Sequence, residues 1–310
     1  MKPSIVVVGS SNTDMVIQSE HLPAPGETIL GGTFFMAQGG KGANQAVAAA
    51  RLNGHVTFIA KIGSDVFGKQ SLQLYKDEGI DTAYVSIDDS SPSGVALITV
   101  DNNGENCIAV AQGANGNLGV DDISKAQTVL ENASIILMQL EIPLETVAQV
   151  ANIAESKRVR LVLNPAPARS LPDELLKKVS IITPNEKEAE MLTGIKISNI
   201  ERAKEAARVL AGKGIETIII TMGAEGALVF HNNEFELVPG SKVKAVDTTA
   251  AGDVFNGALV VAISEGNDLI EAVRFANTAA AISVTRLGAQ ASAPRRSEAE
   301  GMMNANKLKV

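Results

Sequence analysis

Residues 135–163 read I-I-L-M-Q-L-E-I-P-L-E-T-V-A-Q-V-A-N-I-A-E-S-K-R-V-R-L-V-L. Ile135–Leu140 is a short apolar run of strand type, Leu144–Lys157 carries apolar residues at helical spacing, and Arg160–Leu163 is a second strand-like run. Strand, helix and strand in immediate succession predict neighbouring parallel strands with the helix laid across the sheet. The same alternation extends outward in both directions. Strand-like runs recur at Ile5–Val8, Val56–Ile62, Ser180–Ile182 and Thr217–Thr221, and helical patterns at Gly42–Leu52, Phe67–Glu78, Glu186–Leu192 and Ile200–Ala211. Two long helices, Ala251–Ser264 and Leu269–Thr285, close the chain. The expected class is α/β, a three-layer α/β/α core around a mostly parallel sheet.

Two stretches interrupt the alternation. Thr28–Ala37 and Gly94–Ala111 look like β-strands, the second folded back at Asn102-Asn103-Gly104, a strong hairpin signal. Hairpins of this kind do not join a parallel core. The expectation is a small lid sheet inserted at about 15–37 and 94–111, over the carboxyl ends of the core strands, where open α/β folds bind ligands. Neither a repeat nor a low-complexity linker divides residues 1–310, so a single domain is expected.

Composition narrows the partners. A hydrophobic content of 45% supplies a large core, and a formal charge of −8 argues against nucleic acid or an anionic membrane as the main partner. An anionic nucleotide remains compatible, because backbone N–H groups and a metal hold phosphates locally. The longest apolar stretches, such as Ala258–Ile263, fall far short of a bilayer span, and residues 1–9 show no signal-peptide pattern. The lone Cys107 allows no internal disulfide and fits a reducing compartment, so a cytoplasmic protein is expected. His21, His55 and His231 have no partner at metal-ligand spacing.

The segment Val246–Ala258, V-D-T-T-A-A-G-D-V-F-N-G-A, carries the most chemistry. Ala250, Ala251 and Gly252 leave backbone N–H groups accessible where a helix begins, and Asp253 stands in its first turn. Read alone, Asp253 is either an ordinary helix-terminal charge or a functional acid beside a phosphate site. Glu141 is a carboxylate at the end of an apolar strand, a place where sites collect in this architecture. The stretch Gly63–Gln70, G-S-D-V-F-G-K-Q, approaches a P-loop, yet Gln70 stands where a magnesium-binding hydroxyl is required. Gly9-Ser10-Ser11-Asn12 lacks the dinucleotide fingerprint, which disfavours a dehydrogenase.

Taken together, D-T-T-A-A-G-D-V-F-N-G at 247–257 and G-G-K-G-A-N-Q-A at 39–46 resemble the two signatures of the ribokinase/PfkB family of carbohydrate kinases. The resemblance extends along the chain through G-S-S-N-T-D at 9–14, P-G-E-T at 25–28, I-G-S-D-V-F-G at 62–68, N-P-A-P-A at 164–168, T-P-N-E at 183–186 and G-A-Q at 288–290. It implies transfer of the γ-phosphoryl group of ATP to the primary (O5) hydroxyl of D-ribose, with Mg²⁺ on the nucleotide phosphates. Asp253 would be the base, and the N–H groups of Ala250, Ala251 and Gly252 the anion hole. A helix N-terminus should make Asp253 a weak base. A late proton transfer would tolerate that, because such transition states are loose.

The resemblance further implies that Asn12, Asp14, Gly40, Lys41, Asn44 and Glu141 bind the sugar. Read from the residues alone, Asn12 and Asp14 could equally form an Asx-turn after the first strand. Asn185 and Glu188 match the family's N-x-x-E near phosphates and magnesium, and also read as a helix cap with its capping-box partner. Thr221, Gly223 and Gly226 resemble the adenine-nucleotide loop, and Asn277 the position flanking the purine. Asp247, Thr249, Ser283, Arg286, Gly288 and Ser292 match positions whose oxygens enclose an activating K⁺. The family resemblance also implies a homodimer formed through the lid, and lid closure that excludes water. The rivals are a family member acting on deoxyribose, fructose or a nucleoside and, more distantly, a non-catalytic sugar- or nucleotide-binding protein.

Overall fold

The structure, a computed structural model, describes residues 3–307. The chain begins with β1 (Ser4–Val8), crosses β2 (Asn12–Gln18) and β3 (Thr33–Gly39), and enters α1 (Lys41–Arg51). Next come β4 (His55–Gly63), α2 (Val66–Asp77), β5 (Val85–Asp88), β6 (Gly94–Val100) and β7 (Asn106–Ala111). Short helices α3 (Val120–Lys125) and α4 (Gln127–Glu131) precede β8 (Ile135–Met138), α5 (Leu144–Lys157), β9 (Arg160–Leu163), α6 (Asp173–Leu176) and β10 (Ile181–Ile182). The remainder comprises α7 (Glu186–Thr193), α8 (Ile200–Gly212), β11 (Thr217–Thr221), β12 (Gly226–His231) and β13 (Glu234–Pro239). Three helices follow, α9 (Ala251–Ser264), α10 (Leu269–Ser283) and α11 (Arg296–Lys307).

Nine strands form the main sheet in the order β13-β12-β11-β10-β9-β8-β1-β4-β5. Pairing is parallel from β5 to β11 and antiparallel at the β12–β13 edge. Alternate residues of one strand face opposite layers. Ile5 and Val7 join the core that includes α1, α9 and α10, whereas Val6 and Val8 join the core with α5 and α8. All four are fully buried, as the near-continuous apolar run of a doubly covered parallel strand requires. The expected α/β class and the parallel sheet are therefore observed.

The second sheet has the order β3-β2-β6-β7. It starts at Asn12 and closes at Gly39, so the first insertion is longer at both ends than the expected 15–37, while 94–111 agrees. Residues 28–32, expected to be extended, lie outside any strand. Registry places Met15, Ile17, Phe34, Met36 and Leu97 on one face, and Ile17, Phe34, Met36 and Leu97 of these are exposed. The opposite face carries Asn12 and Asp14.

Candidate functional site

The site gathers at the carboxyl ends of the main-sheet strands. The loop after β1 brings Ser10 against the start of α1, where Ser10 O accepts from Ala43 N at 2.9 Å. Gly40 caps α1 with φ at 86°, a backbone state that suits glycine, and offers no side chain of its own. Glu141, just beyond β8, accepts from Ser10 Oγ at 2.6 Å and from the Lys41 N–H at 3.0 Å. Lys41 Nζ stands 3.9 Å from the other Glu141 oxygen.

Asn12 and Asp14 lie in β2 rather than in an Asx-turn. They belong to one face of the second sheet because they are two residues apart in a strand. Asn12 Oδ1 accepts from Asn115 Nδ2 at 2.7 Å, so its own amide N–H groups are directed elsewhere. Asn115 also closes a two-way bond with the Ser11 backbone, through Ser11 N at 2.8 Å and Ser11 O at 3.1 Å. Sequence reasoning missed Asn115, which lies remote in the chain.

Asp253 is 5% exposed in the first turn of α9. Its two oxygens accept from Asn44 Nδ2 and Gln45 Nε2, each at 2.9 Å. Burial pushes its pKa up, against the pull of Lys41, Asn44 and Gln45. The weak base expected from helix position alone is thereby corrected: desolvation outweighs the helix terminus. Asp14 is raised to about 6 by burial, with Glu141 and Asp253 adding to the shift and Lys41 opposing it. Burial works against the Lys41 ammonium, yet Asp253, Glu141, Glu188 and Asp14 together raise its pKa. One cation thus faces four carboxylates. The buried Oδ1 of Asn44 has no partner among the described residues.

At the start of α9, Ala250 adopts a left-handed backbone (φ 58°) and caps the helix without a side-chain bond. Such a state is costly for a residue with a Cβ. Apart from its chain neighbours and its own turn of helix, no atom of the described residues lies within 4 Å of where a Cβ on Gly252 would stand, so the space before this turn is open. The three proposed anion-hole amides are not equivalent, however: Ala251 N donates to Thr248 O at 3.2 Å.

Asn185 and Glu188 form a reciprocal capping box on α7, with both bonds at 2.9 Å. Glu188 is also raised by burial, lowered by the Lys41 charge and raised by Asp253, so it faces the same space. Thr221 ends β11, and Gly223 lies in the short turn before Gly226. Gly226 has φ at 104°, and a Cβ there would meet Val238 O at 2.2 Å, which gives this glycine a structural reason. Asn277 Nδ2 donates to Val238 O at 3.0 Å, tying α10 to β13.

Asp247 bridges the loop before α9 to the C-terminal segment, accepting from Thr249 N and Gly288 N at 2.9 Å each. Burial pushes its carboxyl up but is outweighed by these bonds, which hold it below the usual range. Ser283 is fully buried and its carbonyl accepts from Arg286 N at 3.0 Å. Among the described residues no donor reaches the carbonyl oxygens of Thr249, Arg286, Gly288 or Ser292.

The P-loop look-alike is a plain helix start. Asp65 caps α2, accepting from Gly68 N at 2.9 Å, Ser93 N at 2.8 Å and Ser93 Oγ at 2.7 Å. Two half-open cavities, of about 360 and 190 Å³, lie at the amino ends of the strands, lined by residues such as His55 and Arg296 or Arg160 and His231. Neither contains any of the groups above.

A buried acid and an open helix start thus meet at the carboxyl ends of the main-sheet strands, beside the polar face of the second sheet, and comparison with known proteins gives this arrangement a family. Residues 2–296 match the pfkB family of carbohydrate kinases, and the chain belongs to that family. It is 47% identical to the ribokinase of Haemophilus influenzae, over 96% of this chain and 97% of that protein. It is 39% identical to the deoxyribokinase of Salmonella typhi, over 94% and 95%. The structure of Arabidopsis thaliana ribokinase complexed with ribose and ATP superposes with a TM-score of 0.91 at 33% identity, covering 98% of this chain and 99% of the other.

Proposed function

We propose that this chain is a ribokinase that transfers the γ-phosphoryl group of ATP to the primary hydroxyl of D-ribose, giving D-ribose 5-phosphate and ADP. The observation that carries the reading is Asp253, a buried carboxylate of raised pKa at the start of an uncapped helix, opposite the polar face of the lid. Asn12, Asp14, Gly40, Lys41, Asn44 and Glu141 hold the sugar. The partnerless Asn44 Oδ1 suits a hydroxyl donor, and Asp14 an acceptor role toward vicinal hydroxyls. Asp253 then takes the proton of the primary hydroxyl while the open turn at Ala250–Gly252 receives the transferring phosphoryl group. Gly252, with space before it, leads that anion hole, and Ala251 joins by exchanging its bond to Thr248 for one to phosphate. In-line transfer through a loose transition state makes positioning and charge neutralisation the main requirements.

Asn185 and Glu188 are the residues of this chain that would hold Mg²⁺·ATP on the phosphate side; the free oxygen of a buried acid fits a hard cation. Bound there, Mg²⁺ would neutralise phosphate charge. Thr221, Gly223, Gly226 and Asn277 form the nucleotide side. Asp247, Thr249, Ser283, Arg286, Gly288 and Ser292 supply a K⁺ site. The unpaired carbonyls beside Asp247 suit a large monovalent cation, whose charge would offset converging carbonyl dipoles and steady the α9 turn.

The exposed apolar lid face of Ile17, Phe34, Met36 and Leu97 supports a homodimer through the lid. Lid closure over the sugar excludes water as a competing acceptor. Residues 1–310 act as a single domain with the lid inserted, and the protein works in the cytoplasm. The deciding experiment is ADP release with ribose, deoxyribose, fructose and adenosine at matched concentrations. Ribose should give the highest kcat/KM; a preference for deoxyribose would move the chain to the activity named for the Salmonella relative.

A further inference from the structure

We propose that Gln45, oriented by a buried chain of amides through Gln139 and Asn164, is a positioning residue that aims the Asp253 carboxylate and keeps it ionised. The inference rests on Asp253 being the base. Gln45 and Gln139 are fully buried and Asn164 is 6% exposed. They come from three separate places: the first turns of α1, the end of β8 and the end of β9.

The direction of every bond follows from one fixed point. The backbone carbonyl of Thr183 can only accept, and it takes a bond from Asn164 Nδ2 at 3.2 Å. Asn164 must therefore turn Oδ1 toward Gln45, whose Nε2 donates to it at 3.0 Å. With its NH₂ on that side, Gln45 gives its second N–H to Asp253 Oδ1 at 2.9 Å. Gln45 Oε1 is left to accept from Gln139 Nε2 at 2.5 Å. The remaining atom, Gln139 Oε1, is buried without a partner among the described residues, and a Cβ on Gly9 would lie 2.1 Å from it. A flip of the Gln45 amide would set oxygen against the oxygens of both Asn164 and Asp253. The amide thus presents a donor to Asp253 whatever the protonation state of the acid, and a fixed donor favours the carboxylate.

Neutral amides have a second advantage here. A cation in the place of Gln45 would hold Asp253 equally firmly but depress its basicity, whereas an amide orients it without cancelling its charge. Lys41 already supplies the nearby positive charge; Glu141, Asp14 and Glu188 are the other ionisable groups that face Asp253. Each Asp253 oxygen accepts one amide bond and keeps a further lone pair for the sugar hydroxyl. An orientation error near 1 Å at a reacting atom costs about 10²-fold, so the amide chain has a large effect to exert.

The test compares Gln45→Met, Gln139→Met and Asp253→Asn, with folding followed by circular dichroism and ATP binding by calorimetry. Gln45→Met should lower kcat by about tenfold or more, the scale expected for a misaimed base, while the KM values for ribose and ATP stay near wild type. The acid limb of its kcat/KM profile should move to higher pH, because the lost donor favoured the ionised acid. Gln139→Met, which does not touch Asp253, should shift both quantities in the same direction by less, and serves if Gln45→Met does not fold. Combined with Asp253→Asn, Gln45→Met should cost nothing further in kcat. Wild-type kcat and an unmoved acid limb in a folded variant, with Asp253→Asn still impaired, would overturn the positioning role alone. Full turnover in Asp253→Asn would instead overturn the reading on which it rests. A loss in Gln45→Met that persists undiminished in the Asp253→Asn background would mark the glutamine as merely structural.

Discussion

The starts of α2 and α9 look alike in sequence, since each follows a glycine-containing loop and carries an aspartate within a few residues. Their structures differ in where that aspartate points. Asp65 folds back over its own helix and accepts from Gly68 N and from both donors of Ser93. Burial raises its pKa, but those bonds win and hold it below the usual range. The positive end of α2 is therefore filled by its own chain. At α9 no side chain caps the helix, Ala250 bears a left-handed backbone, and Asp253 is drawn away into a nest of amides. An anion site, on this comparison, is a helix start from which the protein has withdrawn its own carboxylate. On the function proposed above, the carboxylate so withdrawn is the base.

The comparison can be broken by substitution. The largest effect should come from Asp253→Asn, which keeps fold and nucleotide affinity but lowers turnover by at least ~10²-fold, the range for loss of a general base. Steady-state rates with ribose and Mg·ATP measure it, and turnover close to wild type would remove Asp253 from the chemistry. Next in size is the sugar side. Asp14→Ala should cost about 2–5 kcal/mol of ribose binding, the scale for removing one partner of a buried charge-assisted bond. ATP binding, read in the same calorimeter, should be unaffected. Because burial raises Asp14 to about 6, wild-type ribose affinity should also weaken as pH falls through that value, the acid then losing its charge.

A smaller effect is expected from the cation. Replacing KCl by NaCl at fixed ionic strength and saturating Mg·ATP should lower the rate several-fold. Asp247→Ala should abolish the difference between the salts; equal rates in both for the wild type would remove a potassium-selective site. The smallest change sharpens the contrast itself. Asp65→Ala should destabilise by ~1 kcal/mol in urea melts, as loss of a helix cap does, with kcat and the KM for ATP unchanged. A raised KM for ATP would return the P-loop look-alike to consideration.

Residues 135–163 made the core legible, because strand and helix differ in apolar period and each element there is long enough to show it. The β6–β7 hairpin was visible through Asn102-Asn103-Gly104, but β2 was not, since Asn12-Thr13-Asp14 offers polar residues where an alternation is sought. Asn12 and Asp14 share the polar face of β2, whereas Thr13 between them points to the other face and is buried, so no apolar alternation shows. The edge hairpin β12–β13 also went unseen, although Asn232 and Asn233, both with positive φ, form its two-residue turn. An Asn-Asn pair between apolar runs was the available signal. Within the site, residues belonging to contiguous motifs could be named, and the structure brings Lys41, Asn44, Glu141 and Asp253 together. Asn115 lies outside every quoted motif, and Gln45 and Asn164, although inside the motifs at 39–46 and 164–168, showed no role in the sequence because each acts through a partner far off in the chain. Gln139 did leave a trace, a lone amide inside I-I-L-M-Q-L that a purely apolar strand would not carry. The raised pKa of Asp253 was beyond reach for a different reason: desolvation depends on what the fold stacks around the acid.

The central claim is a phosphoryl transfer from ATP to one particular hydroxyl. It is tested most directly by following ¹³C-labelled D-ribose with Mg·ATP and KCl by ³¹P and ¹³C NMR. The account predicts D-ribose 5-phosphate in step with ADP, with phosphorus coupling on C5 alone. Free phosphate in place of the sugar ester, phosphate on another carbon, or no ribose-dependent ADP would contradict it.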